Sequence, residues 1–157
     1  MSKVLVAYFS ASKGKVTEKM AMYFAEKICA DLFEIKPMEP YSEADLKWMN
    51  PLARCNKEKI GNKDVPVEGE IDDISQYDFV FLGFPIWYGA APNVVNTFCQ
   101  RYDWTGISVN VFATSGGSGI GKTAEKLRPY VQGATEINAE LFKNPADMIT
   151  WAKAIGI

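Results

Sequence analysis

Three short segments of this 157-residue chain carry residue types able to hold a phosphate or a planar ring. The first, Ser10-Ala-Ser-Lys-Gly-Lys-Val-Thr17, combines the hydroxyls of Ser10, Ser12 and Thr17 with Gly14, Val16 and the two cations Lys13 and Lys15. At the start of a helix, unpaired backbone N–H groups, hydroxyl donors and the positive end of the helix dipole together suit a dianionic phosphate. Ser and Thr also serve there as ordinary helix caps. The second segment, Pro85-Ile86-Trp87-Tyr88-Gly89, puts two adjacent large aromatics on a turn that proline stiffens and glycine loosens. A planar ring stacked on such a face gains about 0.5–1.5 kcal/mol beyond its buried area. The same two rings could equally close the core over a sheet edge.

The third segment lies within Ala113-Thr-Ser-Gly-Gly-Ser-Gly-Ile-Gly-Lys-Thr-Ala124 and offers Thr114, Ser115, Gly116, Gly117, Ser118 and Gly119. Two ligand types compete for it. Gly116, Gly121, Lys122 and Thr123 satisfy the spacing of a nucleotide-triphosphate P-loop, and Val109 to Ala113 supplies the strand that motif needs before it. Such a loop also needs an apolar strand ending in an acidic residue to hold Mg²⁺, whereas Val80-Phe-Leu-Gly-Phe84 ends in Pro85. The shorter Gly119-Ile-Gly-Lys-Thr-Ala124 run resembles a dinucleotide fingerprint, with only Glu140 near the required acidic position.

The elements that would position these segments follow from periodicity. Val4-Leu-Val-Ala-Tyr-Phe9 is a continuous β-prone run, expected for a strand buried on both faces and placed at the sheet centre. Met20, Ala21, Phe24, Ala25 and Ile28 recur at helical spacing, with Glu18, Lys19, Glu26 and Lys27 on the opposite face. Leu32 to Lys36 reads as a second strand stopped by Pro37. From there to about residue 70 the chain is rich in Pro, Asn, Lys and Glu, an irregular excursion with a helical turn expected around Glu43 to Met49.

Phe79 to Phe84 is a third strand that Pro85 should end, and Pro92 opens a helix with Val94, Val95 and Phe98 inside. Residues 108–114 form a fourth strand, and Ile120, Ala124, Leu127 and Val131 mark a helix after it. A fifth strand near 135–141 and a helix from Pro145 to about Ile155 complete a single domain over 1–157. Strand and helix alternate throughout, so the fold class is α/β, a three-layer, doubly wound parallel sheet. Ligands of such sheets bind at the carboxyl ends of the strands. The three segments each follow a strand there and should meet at one crevice.

Composition narrows the chemistry. Seventeen basic against nineteen acidic side chains give a formal charge of −2, which leaves no electrostatic footprint for nucleic acid or an anionic membrane. Phe79 to Trp87, the longest apolar run, is about half of the roughly 20 residues that span a bilayer. With no signal-peptide pattern at Met1-Ser-Lys-Val-Leu, a cytoplasmic location is expected. Cys29, Cys55 and Cys99 show neither disulfide nor metal spacing, and two of them are expected in the core. The chain has no histidine, so neither Ser-His nor Cys-His nucleophilic machinery can be assembled, and a bound cofactor is the simplest carrier of chemistry.

Tyr8-Phe9-Ser10, Pro85-Ile-Trp-Tyr-Gly-Ala-Ala-Pro92, Ala113 to Gly121 and Pro40-Tyr-Ser-Glu-Ala-Asp-Leu46 together resemble the flavodoxin-like family over essentially the whole chain. The resemblance implies five parallel strands in the order 2-1-3-4-5 and FMN as cofactor. It would place the FMN phosphate at Ser10, Ser12, Gly14, Val16 and Thr17, the ribityl chain and one ring face at Pro85 to Gly89, and the pyrimidine edge at Thr114 to Gly119. Lys13 and Lys15 lengthen the family's phosphate loop by two residues. The implied function is electron transfer, either as a carrier for a redox partner protein or as an NAD(P)H-dependent reductase of flavin, quinone or another small electron acceptor. The alternatives are a P-loop-like nucleotide-binding protein, or a binding module that keeps this fold without FMN.

Overall fold

The structure is a computed structural model that describes residues 3–10, 16–38, 67–86, 90–114, 120 and 122–157. In chain order its main elements are β1 (Val4–Tyr8), α1 (Val16–Ile28), β2 (Asp31–Glu34), β3 (Phe79–Pro85), α2 (Asn93–Gln100), β4 (Ser108–Thr114), α3 (Thr123–Leu127), β5 (Glu136–Leu141) and α4 (Pro145–Ile155). These five strands form one parallel sheet in the order 2-1-3-4-5. The middle position belongs to β3, with β1 beside it, so the N-terminal strand is interior but not central.

Alternate side chains of each inner strand enter two separate cores. Val4, Val6, Tyr8, Phe81 and Phe112 pack with Met20, Ala21, Phe24 and Ala25 of α1 and Met148 and Ala152 of α4. Leu5, Ala7, Val80, Leu82, Phe84, Val109 and Val111 pack on the other face with Val94, Val95, Phe98 and Cys99 of α2 and with Leu127 and Val131. This two-sided burial is why β1, β3 and β4 read as unbroken apolar runs. Phe24 meets Phe81 edge-on, with ring centroids 4.9 Å apart at 76°, an arrangement that favours one packing register between α1 and the sheet.

A buried polar group in β4 is satisfied locally. Asn110 is fully buried; its amide donates to the Ser108 hydroxyl at 3.1 Å, and its carbonyl accepts from Asn138 of β5 at 2.9 Å. Ser108 donates in turn to Glu136 at 2.7 Å. This ladder pins the register of β5, the edge strand of the sheet among the described residues.

The structure corrects several sequence-based boundaries. Pro85 is the last residue of β3, opposite Thr114, and does not stand outside the strand. Proline is tolerated because the next amide, Ile86 N–H, donates to the Thr114 carbonyl at 2.8 Å and so completes the ladder. Pro37 likewise does not end pairing, since Lys36–Pro37 and Val67–Glu68 form a separate two-stranded antiparallel ribbon. The ribbon joins the ends of the 38–70 excursion, while the helical turn expected at 43–49 lies outside the described residues. Pro92 caps α2, accepting from Val95 N–H at 3.0 Å, and is not its first helical residue.

The helix marked by Ile120 to Val131 covers only Thr123–Leu127 before tightening into a 3₁₀ turn at Arg128–Tyr130, because Pro129 has no amide hydrogen to continue an α-helix. Of the described cysteines, Cys99 is buried and Cys29 is exposed just past α1, so the expectation of two core thiols meets one here; Cys55 lies outside the described residues. Among the described residues no helix is long and apolar enough to cross a membrane.

Gly83 of β3 lies opposite Phe112 of β4, and a Cβ there would fall inside the Phe112 ring. Gly83→Ala is expected to destabilise the fold by about 1–3 kcal/mol, the usual cost of overpacking. Chemical denaturation checks this, and an unchanged midpoint would show that the ring has room to move. Tyr77 donates to Asp31 at 2.7 Å, and burial, followed by that carboxylate, pushes its phenol up to about 12. A raised folded-state pKa means full stability below about pH 10, where an unfolded tyrosine titrates, and loss as pH rises toward 12. Tyr77→Phe should lessen that alkaline loss in denaturation curves run across this window.

Candidate functional site

Because the strands are parallel, β1, β3 and β4 all end at the same sheet edge. β1 delivers Phe9 and Ser10, β3 delivers Pro85 and Ile86, and β4 delivers Thr114. Backbone bonds lock the three ends together: Phe9 N–H donates to Gly83 O at 2.8 Å and Ile86 N–H to Thr114 O at 2.8 Å. The edge is also where α1 begins, with Val16 half exposed and Thr17 almost wholly buried.

Two features of this edge are not explained by packing. The Ser10 hydroxyl is buried and has no hydrogen-bond partner among the described residues. An unpaired buried hydroxyl costs about 1–3 kcal/mol, which an anion accepting from it would recover. The second feature is a hydroxyl pair: Thr17 Oγ1 and Thr114 Oγ1 are 2.8 Å apart, and both residues are buried. One proton serves the pair, so one of the two hydroxyls keeps a hydrogen to donate elsewhere. Thr17 stands in the first turn of α1, where backbone N–H groups lack intrahelical partners. Ser10, the N-terminus of α1 and Thr114 therefore gather hydrogen-bond donors at one sheet edge, a set suited to a phosphate or similar anion.

Tyr8 packs on the α1 face of β1. Its hydroxyl donates to Glu18 of α1 at 3.1 Å, and burial together with the Glu34 and Glu18 carboxylates keeps its phenol well above the usual tyrosine range. The Cys99 thiol is driven upward by burial. Neither group is poised to exchange a proton near neutral pH. Among the described residues no group of three metal-ligating side chains is present.

Of the site residues expected from sequence, Ser10, Val16, Thr17, Pro85, Ile86 and Thr114 are described, and all lie at this one edge. Ser12, Lys13, Gly14, Lys15, Trp87, Tyr88, Gly89, Ser115, Gly116, Gly117, Ser118 and Gly119 lie outside the described residues. The Thr17–Thr114 pair was not legible beforehand, because 97 residues separate its members and only strand pairing brings them together.

The P-loop reading is not favoured. That motif needs the Thr123 hydroxyl free for Mg²⁺ at a helix start, but Thr123 is fully buried and its hydroxyl donates to the Ile120 carbonyl. The helix behind it has five residues.

A parallel sheet in this order, with a donor-rich helix start beside the ends of strands 3 and 4, defines a doubly wound α/β fold that binds its ligand at the carboxyl edge. The chain belongs to the flavodoxin family, whose sequence profile matches residues 3–154. It is similar to a flavoprotein candidate from Bacteroides eggerthii DSM 20697, at 34% identity and a TM-score of 0.90, with 100% of this chain and 99% of that one covered. A second flavoprotein candidate, from Bacteroides uniformis ATCC 8492, shares 31% identity at a TM-score of 0.84, covering 97% and 98%. A flavoprotein from Lactobacillus acidophilus NCFM, solved in complex with FMN, shares the fold at 23% identity and a TM-score of 0.71, covering 97% and 99%. No curated protein matches the chain.

The hydroxyl pair can be tested without a ligand. Thr17→Val and Thr114→Val should each cost about 1–3 kcal/mol by orphaning the partner. The double variant should cost less than the sum, with a coupling of about 0.5–3 kcal/mol in a denaturation cycle. Strict additivity would show that the two hydroxyls do not depend on each other.

Proposed function

We propose that this chain binds FMN noncovalently and acts as a small flavin-dependent oxidoreductase. The observation that carries the reading is the buried, unpartnered Ser10 hydroxyl at the mouth of the Ser10–Thr17 segment, beside the start of α1. A helix start with a spare hydroxyl fits the phosphate end of FMN. Family membership and the FMN complex of the Lactobacillus protein support the same choice.

FMN, when bound, supplies the redox chemistry. The residues of this chain bind and orient it. Ser10 and Thr17 would donate to the phosphate, aided by Ser12, Gly14 and Val16 and by the charges of Lys13 and Lys15. Pro85 to Gly89 would hold the ribityl chain and one ring face, with Trp87 or Tyr88 stacked on it. Thr114 to Gly119 would meet the pyrimidine edge. The absence of histidine agrees with this division of labour, since no acid or base near neutral pH is required of a side chain.

The formal charge of −2 favours a reductase acting on NAD(P)H and a small acceptor over a carrier that docks to a partner protein through an acidic face. Steady NAD(P)H oxidation by the FMN-loaded protein is the expected result; inertness until a redox partner protein is added would assign it as a carrier.

The cofactor assignment is tested by titrating the purified protein with FMN, following visible absorbance and the fluorescence of tryptophan and flavin. Saturable binding with quenching of both signals is expected. Ser10→Ala should weaken it by about 10–100-fold, as loss of one hydrogen bond to a charged group does. Absence of binding would leave the non-flavin module as the reading.

A further inference from the structure

Glu18 is the third residue of α1 and stands in its first turn, at the helix end assigned to the cofactor phosphate. A carboxylate there is favourable while the site is empty, because it meets the positive end of the helix dipole. It becomes unfavourable once a phosphate arrives, because two anions then share one helix start. From the third helical position a glutamate side chain also reaches back to the amide that opens the helix, a donor of the kind a phosphate uses. The chain therefore carries its own competitor for the phosphate, and whatever holds that carboxylate sets how well it competes.

One oxygen of the half-buried Glu18 is held by the sheet. Tyr8, the last residue of β1 and only 4% exposed, donates its hydroxyl to Glu18 Oε1 at 3.1 Å. The Tyr8 ring belongs to the core beneath α1, with Met20, Phe24 and Phe112, so close packing presents the hydroxyl from a fixed position. A phenol has one hydrogen to give, and burial, followed by the Glu34 and Glu18 carboxylates, keeps it in place well beyond neutral pH. Glu34, opposite Tyr8 in the register of β2, is the other charge beside this hydroxyl, and it pairs with Lys36 at 3.8 Å.

We infer that Tyr8 is a positioning residue for the phosphate site: by holding the Glu18 carboxylate against β1, it keeps the resident anion of α1 off the amides that the cofactor phosphate needs. The inference rests on the FMN reading above and deepens it, since it makes the Tyr8–Glu18 pair a determinant of how much the phosphate adds to flavin affinity. Neither side chain is among the cofactor contacts proposed above, so both act through charge and placement.

The test titrates the purified full chain with FMN at fixed ionic strength, because the effect is electrostatic. Riboflavin, the same ring and ribityl chain without the phosphate, is the comparison for the wild type. Glu18→Gln should bind FMN about 2–5-fold more tightly, the size of a solvent-screened charge interaction. Its apoprotein should nevertheless unfold at slightly lower denaturant, because α1 loses a favourable first-turn charge. Tyr8→Phe should bind FMN about 2–5-fold more weakly. Added to the Glu18→Gln background, the same substitution should bring no such loss, since an amide carries no charge to release.

A purely structural role for Tyr8 would weaken FMN binding equally in both backgrounds, and that result would overturn the inference. Glu18→Gln changes no core residue, so its sign decides even if Tyr8→Phe loosens the fold: FMN binding equal to or weaker than wild type would overturn the inference while the FMN reading stands. Wild-type affinity for FMN no greater than for riboflavin would remove the phosphate assignment itself, and this inference with it.

Discussion

Parallel pairing of β1, β3 and β4 is the constraint on which everything else in this molecule rests. Antiparallel neighbours would send alternate strand ends to opposite edges, whereas parallel ones send all of them to one, and here that edge receives Ser10, Ile86 and Thr114 together. Parallel strands need crossovers on the sheet faces, so both faces are covered and the inner strands must be apolar throughout. The close approach of Gly83 to Phe112 is the tightest expression of this requirement, since β3 lacks a side chain where the neighbouring strand's ring lies against it.

Within so apolar a framework, polar groups are accounted for one by one. Asn110 is satisfied by Ser108 and Asn138, Thr17 by Thr114, and the Trp104 indole by the Cys99 carbonyl at 2.8 Å. Against that background the two unpartnered oxygens are informative. Both are on the carboxyl-edge half of the fold: Ser10 directly after β1, and Asn96 in the helix that follows the end of β3. Of the two, Ser10 is the one at the edge where three strand ends meet, where an accepting anion would recover the cost of its burial.

The glycine-rich stretch after β4 shows how burial decides between chemistries that a motif leaves open. Gly116 to Thr123 has the spacing of a P-loop, but spacing does not say which way a hydroxyl points. With Thr123 in the core and bonded to Ile120, the group that would meet Mg²⁺ is spent on the protein's own backbone. With that hydroxyl spent, the start of α1 is left as the anion-suited end.

The amino-acid sequence by itself determined the class of fold, because a strand buried on both faces and a helix with one apolar stripe have different periodicities, and both are plain in Val4 to Phe9 and Met20 to Ile28. It also determined α4, where Asn144, Pro145 and Gly156 mark cap, first turn and left-handed exit by local chemistry alone. Tertiary structure decided what depends on distant partners. The ribbon between Lys36–Pro37 and Val67–Glu68 was invisible because two-residue strands have no period. Proline at 85 remained in its strand because a neighbouring amide took over the ladder, and β3, not β1, took the centre because order in a sheet is set by pairing. The residue types at the site were readable, but the joining of Thr17 to Thr114 and the isolation of the Ser10 hydroxyl arise only when three strand ends meet, since a hydrogen bond or its absence is a property of the neighbours that folding supplies.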